Sequence, residues 1–203
     1  MTIVRAIPFF LLAAVLLGSD ARSTQADPAD DRRVKVEFID VLGNKYTLPG
    51  PDDCKAIVLL FVGHDCPISN SYSKEIVRLC KEFMPKKVAF CVVYADADIS
   101  EDEARKHAKE YGFVCPAILD PEMTLARRVG ATIKPEAAVL SPKGELLYLG
   151  RIDNRWVDFG KRREHVTSHE LRDALEAVLA GKPIATPRVK GIGCDIDLPR
   201  KSK

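Results

Sequence analysis

The stretch Ala56-Ile57-Val58-Leu59-Leu60-Phe61-Val62-Gly63-His64-Asp65-Cys66-Pro67 decides how the chain is read. Seven apolar residues run without interruption, several of them branched. Their length and branching fit a strand buried on both faces, as in a parallel sheet. Gly63 to Pro67 then leads into a helix. Ile68, Tyr72, Ile76, Leu79, Cys80 and Phe83 fall at helical spacing, and Pro85 ends that element. Cys66 therefore sits where a buried strand hands over to a helix. Unpaired N–H groups and partial positive charge at a helix start stabilise a thiolate. Pro67 at the first helical position sacrifices no hydrogen bond there. Ser69 is expected to bring a hydroxyl near the sulfur. His64, if protonated, would lower the thiol pKa further. The competing reading of Cys66 is a small buried hydrophobe.

Outward from this stretch, strands and helices alternate. Val34–Phe38 alternates apolar and polar residues, Gly43-Asn44 marks a turn, and Lys45–Leu48 returns. Pro49-Gly50-Pro51 closes this hairpin. Val88–Tyr94 reads as a second buried strand. Ser100-Glu101-Asp102-Glu103 opens a helix with a capping box, and Gly112 ends it. A short strand over Val114–Leu119 and a short helix over Met123–Val129 follow. Ala137–Leu140 and Glu145–Leu149 flank Pro142-Lys143-Gly144 as an antiparallel hairpin. Thr167-Ser168-His169-Glu170 reads as a second capping box before a helix striped with Leu171, Leu175, Val178 and Leu179. The expected fold is α/β: a central mixed β-sheet flanked by helices on both faces, with an N-terminal β-hairpin.

The chain has 203 residues, 31 Lys+Arg against 29 Asp+Glu, 46% hydrophobic and 30% charged residues. The near balance of charge supports neither a nucleic-acid partner nor a polybasic membrane binder. Residues 1–26 read as a signal peptide. Arg5 precedes the apolar Ile7–Leu17 run, and small residues offer cleavage after Ala21 or Ala26. The run is shorter than the ~20 residues a bilayer span needs, so an uncleaved anchor is the second reading. Cleavage leaves 177 residues and all six cysteines. The protein is then expected to be exported, periplasmic or otherwise extracytoplasmic, with no membrane contact after cleavage. Disulfides are permitted in that compartment. Residues 27–33 read as a linker, 34–181 as one domain, and 182–203 as a Pro- and Lys-rich tail with one buried-looking feature, Ile192-Gly193-Cys194-Asp195-Ile196.

Phe61-Val62-Gly63-His64-Asp65-Cys66-Pro67-Ile68-Ser69 resembles the active-site segment of thioredoxin-like redoxins. It is closest to the peroxiredoxin-like AhpC/TSA branch with one cysteine in a Gly-x-x-Cys-Pro context. Lys134-Pro135-Glu136-Ala137 looks like the cis-proline loop of that fold, and the likeness includes Gly150-Arg151-Ile152-Asp153-Asn154-Arg155. The resemblance implies a thioredoxin-like fold and a thiol-dependent oxidoreductase. In it Cys66 attacks a peroxide or a disulfide, and Pro135 faces the cysteine beside backbone groups offered to an extended substrate. The chain departs from the pattern twice. Ser69 stands where Cys-x-x-Cys needs its second cysteine. Gly63 stands where a typical peroxiredoxin has a peroxide-positioning threonine.

The remaining cysteines divide. Cys80, fourteen residues along the helix from Cys66, lies about 21 Å away at 1.5 Å per residue, too far for a disulfide. Cys80, Cys91 and Cys115 read as core. Cys54 reads as an exposed free thiol or a partner for another cysteine. Cys194 is the resolving candidate; a static bridge, for instance to Cys54, and a free thiol are its alternatives. No cofactor and no metal are implied. His165 and His169 read as a solvated pair, and Asn70 stands where a copper-delivery Cys-x-x-x-Cys would need cysteine. Lys161-Arg162-Arg163 reads as a solvated loop and Trp156 as packing against the sheet. Two further functions stay open: thiol-disulfide exchange on exported proteins, and a non-catalytic binding or scaffold module. Either enzyme reading requires an external thiol electron donor.

Overall fold

The computed structural model describes residues 36–48 and 54–198. The signal peptide, the linker, the Pro49-Gly50-Pro51 closure and residues 199–203 lie outside the described residues. The hairpin β1 (Val36–Ile39) and β2 (Lys45–Leu48) pairs antiparallel. The Asp40 carboxylate fixes its turn by accepting from the Leu42 and Asn44 amides at 2.9 and 2.8 Å.

The main sheet is built on β3 (Ala56–Val62), β4 (Val88–Tyr94) and β5 (Ala117–Leu119), all parallel. On the other side of β3 lie β7 (Glu136–Leu140) and β8 (Leu146–Gly150), each antiparallel to its neighbour. β3 is central and every residue in it is buried, which is why its sequence is apolar without alternation. Val58, Leu60 and Val62 face one core with α2 (Ser73–Phe83) and α5 (Glu170–Leu179); Ile57, Leu59 and Phe61 face the other with α4 (Thr124–Val129). The helix α3 (Glu101–Glu110) starts at Ser100 with both capping-box hydrogen bonds, and Gly112 follows it with φ of +68°.

Four sequence expectations need correction. The helix after Cys66 is not continuous: α1 (Pro67–Ser71) stops at Tyr72, from which α2 begins. Tyr72 is held from outside the helix. Its hydroxyl donates to the buried Asp153 carboxylate at 2.9 Å, and the Arg155 guanidinium lies 4.6 Å over its ring. The second capping box does not form. The N-cap of α5 is His169, not Thr167, with no side-chain cap bond; the Thr167 amide donates to Asn154 Oδ1 at 3.0 Å and Glu170 accepts from Arg151 Nε at 2.8 Å. Part of the basic run is strand: β9 (Trp156–Asp158) and β10 (Lys161–Arg162) form an exposed hairpin. Trp156 reaches back from it to donate to Ser71 Oγ at 3.1 Å.

The fourth correction concerns the tail, which folds onto the domain. β11 (Arg188–Val189) extends the main sheet beside β8, and β12 (Cys194–Asp195) pairs with β6 (Ile133–Lys134). Among the described residues no helix is long and apolar enough to cross a membrane.

Candidate active site

Cys66 caps α1. Its backbone is extended (φ −85°, ψ 110°), its side chain is 1% exposed, and the Ser69 amide donates to Sγ at 3.5 Å. The Lys134 carbonyl lies 3.4 Å from the same sulfur. Because α1 is a single short turn, the local Ser69 N–H serves the sulfur rather than the field of a long helix. The Ser69 hydroxyl is engaged elsewhere. It accepts from the Gly63 amide at 3.1 Å, tying the end of β3 to α1.

The Lys134–Pro135 bond is cis, and it places the Lys134 carbonyl against Cys66. Lys134 is 6% exposed and its ammonium pairs with Asp96. Its methylenes lie 3.5 Å from the point where a Cβ on Gly63 would stand, and the Cys66 Cβ lies 3.0 Å from that point. A side chain at position 63 would therefore press on the Cys66 Cβ and pack against the Lys134 methylenes. His64 is half-buried and turned to Asp96, with Nδ1 3.8 Å from Oδ2; its contact with the Cys66 loop is through its carbonyl, which accepts from Asn70 at 3.0 Å.

Asn70 in turn meets His107 Nε2 at 2.9 Å, and His107 Nδ1 meets the Tyr94 hydroxyl at 2.8 Å. The Asn70 amide group donates to His64, so its oxygen accepts and Nε2 must carry the proton. With the Tyr94 hydroxyl donating to Nδ1, the imidazole is neutral. Burial, then the neighbouring His64, holds the His107 pKa below the ordinary histidine range. Asp96 and His107 escape sequence reasoning, and Lys134, Asn70 and Asp153 enter it only as motif positions, because each matters through a partner from a distant segment.

Cys194 is bonded to Cys66, with Cα atoms 6.3 Å apart across 128 positions. Cys54, Cys80, Cys91 and Cys115 are free and buried. Cys54 is thus not exposed and not a partner for Cys194; its thiol donates to the Ala56 carbonyl at 2.9 Å. Cys80 and Cys115 touch, Sγ to Sγ 3.7 Å. That contact and burial push the Cys80 thiol up, and burial pushes up Cys91. A cleft of about 460 Å³ opens beside Cys194 and Lys134, lined also by His64, Asp96, Asp98 and Glu103. Among the described residues no cluster of His, Cys, Asp or Glu is arranged to hold a metal ion.

A cysteine at the β3–α1 junction facing a cis-proline loop is the arrangement the resemblance implied, and residues 26–149 match the AhpC/TSA family. The chain belongs to the AhpC/TSA family. This AhpC/TSA chain has a thioredoxin-like fold. A hypothetical protein from Sinorhizobium meliloti 1021 is 25% identical over 83% of this chain and 93% of its own, with a TM-score of 0.72. An uncharacterized conserved protein from Geobacillus kaustophilus is 25% identical over 83% and 91%, with a TM-score of 0.70. A thiol-disulfide oxidoreductase from Bacteroides fragilis NCTC 9343 shares the fold, at 19% identity over 57% and 87% and a TM-score of 0.50. No curated protein matches the sequence. The family match takes in Cys66 and Pro135 but stops short of Arg151–Arg155 and Cys194.

Proposed function

We propose that the chain is an exported thiol-dependent oxidoreductase with Cys66 as attacking thiolate and Cys194 as resolving thiol. The bond between these two cysteines, across 128 positions, is the observation that supports this most. The favoured oxidant is a peroxide, as the AhpC/TSA membership suggests. The Cys66 thiolate attacks the terminal peroxide oxygen; the O–O bond breaks, and the alkoxide or hydroxide leaves with a proton as alcohol or water. Cys66 is now a sulfenic acid. The Cys194 thiolate attacks its sulfur, forming the disulfide and releasing water. Two thiols of an external donor reduce the disulfide and leave oxidised. Ser69 N–H stabilises the thiolate, and Pro135 holds the Lys134 carbonyl against the sulfur. His64 acts on the loop through its carbonyl.

Gly63 favours a second reading, thiol-disulfide exchange on exported proteins, because the peroxide-positioning threonine is missing and a Cβ there would press on Cys66. A non-catalytic binding module is the third. Export rests on the N-terminal pattern of residues 1–26 and on cysteines arranged for an oxidising compartment. One equivalent of peroxide added to reduced chain distinguishes these readings. The peroxide reading predicts a Cys66–Cys194 disulfide in peptide maps, and a Cys66 sulfenic acid trapped by dimedone in Cys194→Ser. Oxidation by a protein disulfide but not by peroxide selects the second reading, and inertness to both selects the third.

A further inference from the structure

β12 lies antiparallel to β6 with Cys194 opposite Lys134 and Asp195 opposite Ile133. It therefore occupies the backbone edge immediately before Pro135, beside the Cys66 sulfur. Two features seat it there. Ile196 is buried, and its amide donates to the Thr132 carbonyl at 2.8 Å. Gly193 comes so close that a Cβ on it would lie 2.3 Å from the Lys134 carbonyl oxygen and 3.0 Å from Pro135 N. Those are backbone atoms and cannot step aside as a flexible side chain would. Only glycine fits. Gly191 is less tight, with a Cβ position 3.1 Å from Ile133 Cδ1.

We propose that Gly191–Ile196 is a built-in occupant of the polypeptide-docking edge at Lys134, so that polypeptides are refused there until this segment lifts. The inference rests on the thiolate reading of Cys66 given above. It also states what the edge accepts once open. A polypeptide cysteine that meets the Cys66 sulfur in the register of Cys194 must place its preceding residue where Gly193 lies, and any side chain there strikes the Lys134 carbonyl. The edge therefore selects Gly-Cys. A small oxidant or thiol needs no strand edge.

The test uses the full chain with Cys194→Ser, which frees Cys66 and leaves the segment seated, and the same chain with Gly193→Val added, which unseats it. The probes are Gly-Ile-Gly-Cys-Asp and Gly-Ile-Val-Cys-Asp, each as a mixed disulfide with pyridine-2-thiol, and 2,2′-dipyridyl disulfide as the small control. In each case the Cys66 thiolate bonds to the attacked sulfur and pyridine-2-thiolate leaves, is protonated and is read by absorbance. Peptide mapping locates the adduct.

The small control measures how fast the Cys66 thiolate of each chain reacts, and every peptide rate is read as a ratio to it. The glycine peptide should react at least about tenfold faster with the unseated chain, and at least about tenfold faster than the valine peptide there, the penalty expected of a backbone clash. Ile196→Asp in place of Gly193→Val should give the same acceleration without altering the glycine, and circular dichroism shows which chains are folded. Equal peptide rates in seated and unseated chains, or no preference for glycine, alongside a fast small control, overturn the docking inference alone. A folded, unseated chain whose Cys66 ignores the small control as well overturns the thiolate reading, and the inference with it.

Discussion

At the scale of single residues, Gly63 and His107 carry the sharpest consequences. Thr at position 63 would restore the peroxiredoxin motif in sequence, yet its Cβ would stand 3.0 Å from the Cys66 Cβ and against the Lys134 chain. Gly63→Thr is expected to cost about 1–3 kcal/mol, as overpacking does, and to add no peroxide turnover. Urea unfolding and a peroxide-consumption assay check the two halves. Neutral His107 donates to Asn70 from Nε2 and accepts from the Tyr94 hydroxyl at Nδ1. Its folded pKa lies below the unfolded value of about 6.5, so the unfolded chain takes up the proton first as pH falls. Stability is therefore lost on acidification from pH 7 towards and below 6, with Glu110 opposing the shift and His64 reinforcing it. The unfolding midpoint should fall less steeply over that range in His107→Gln. Cys66 was legible in the sequence because a buried strand, a proline and a helical stripe are local signals. His107 was not, since its partners lie 13 and 37 positions away.

At the scale of elements, the join between α1 and α2 depends on the loop after β8. Asp153 is 2% exposed, accepts from Tyr72 at 2.9 Å and from the Arg155 guanidinium at 3.0 Å, while Arg155 Nη1 donates to the Ser71 carbonyl at 3.1 Å. Asp153→Ala strands a largely buried guanidinium and a buried hydroxyl. It should cost about 3–5 kcal/mol, against about 1 kcal/mol for Tyr72→Phe, which leaves the ion pair intact. Thermal or denaturant unfolding of the two variants checks this ordering. The sequence stripe Ile68, Tyr72, Ile76 continues through the break, so periodicity alone reads one helix. The interruption is imposed by a segment 81 positions away. Glu170 shows the same limit: the capping pattern is present in sequence, but Arg151 takes the carboxylate.

At the scale of the whole molecule, the Cys66–Cys194 bond closes most of the described chain into one loop and ties the C-terminal segment to the sheet. Cross-linking so long a loop restricts the unfolded state, typically by about 2–4 kcal/mol. Reduction should lower the denaturant midpoint accordingly, and Cys194→Ser, already without the bond, should show no response to reductant. The central sheet was legible because β3 and β4 are long and apolar. The C-terminal segment was legible only as the buried-looking Ile192–Ile196, because β11 and β12 have two residues each and no period to read. Its glycines make sense only against the Lys134 backbone. The direct measurement of the central claim is the rate of Cys66 alkylation by iodoacetamide against pH in the reduced chain, followed by peptide mass. An apparent pKa well below the free-thiol value of about 8.5 is predicted, with Cys66 reacting ahead of the four buried cysteines. A value at or above 8.5, with Cys66 no faster than those four, would contradict it.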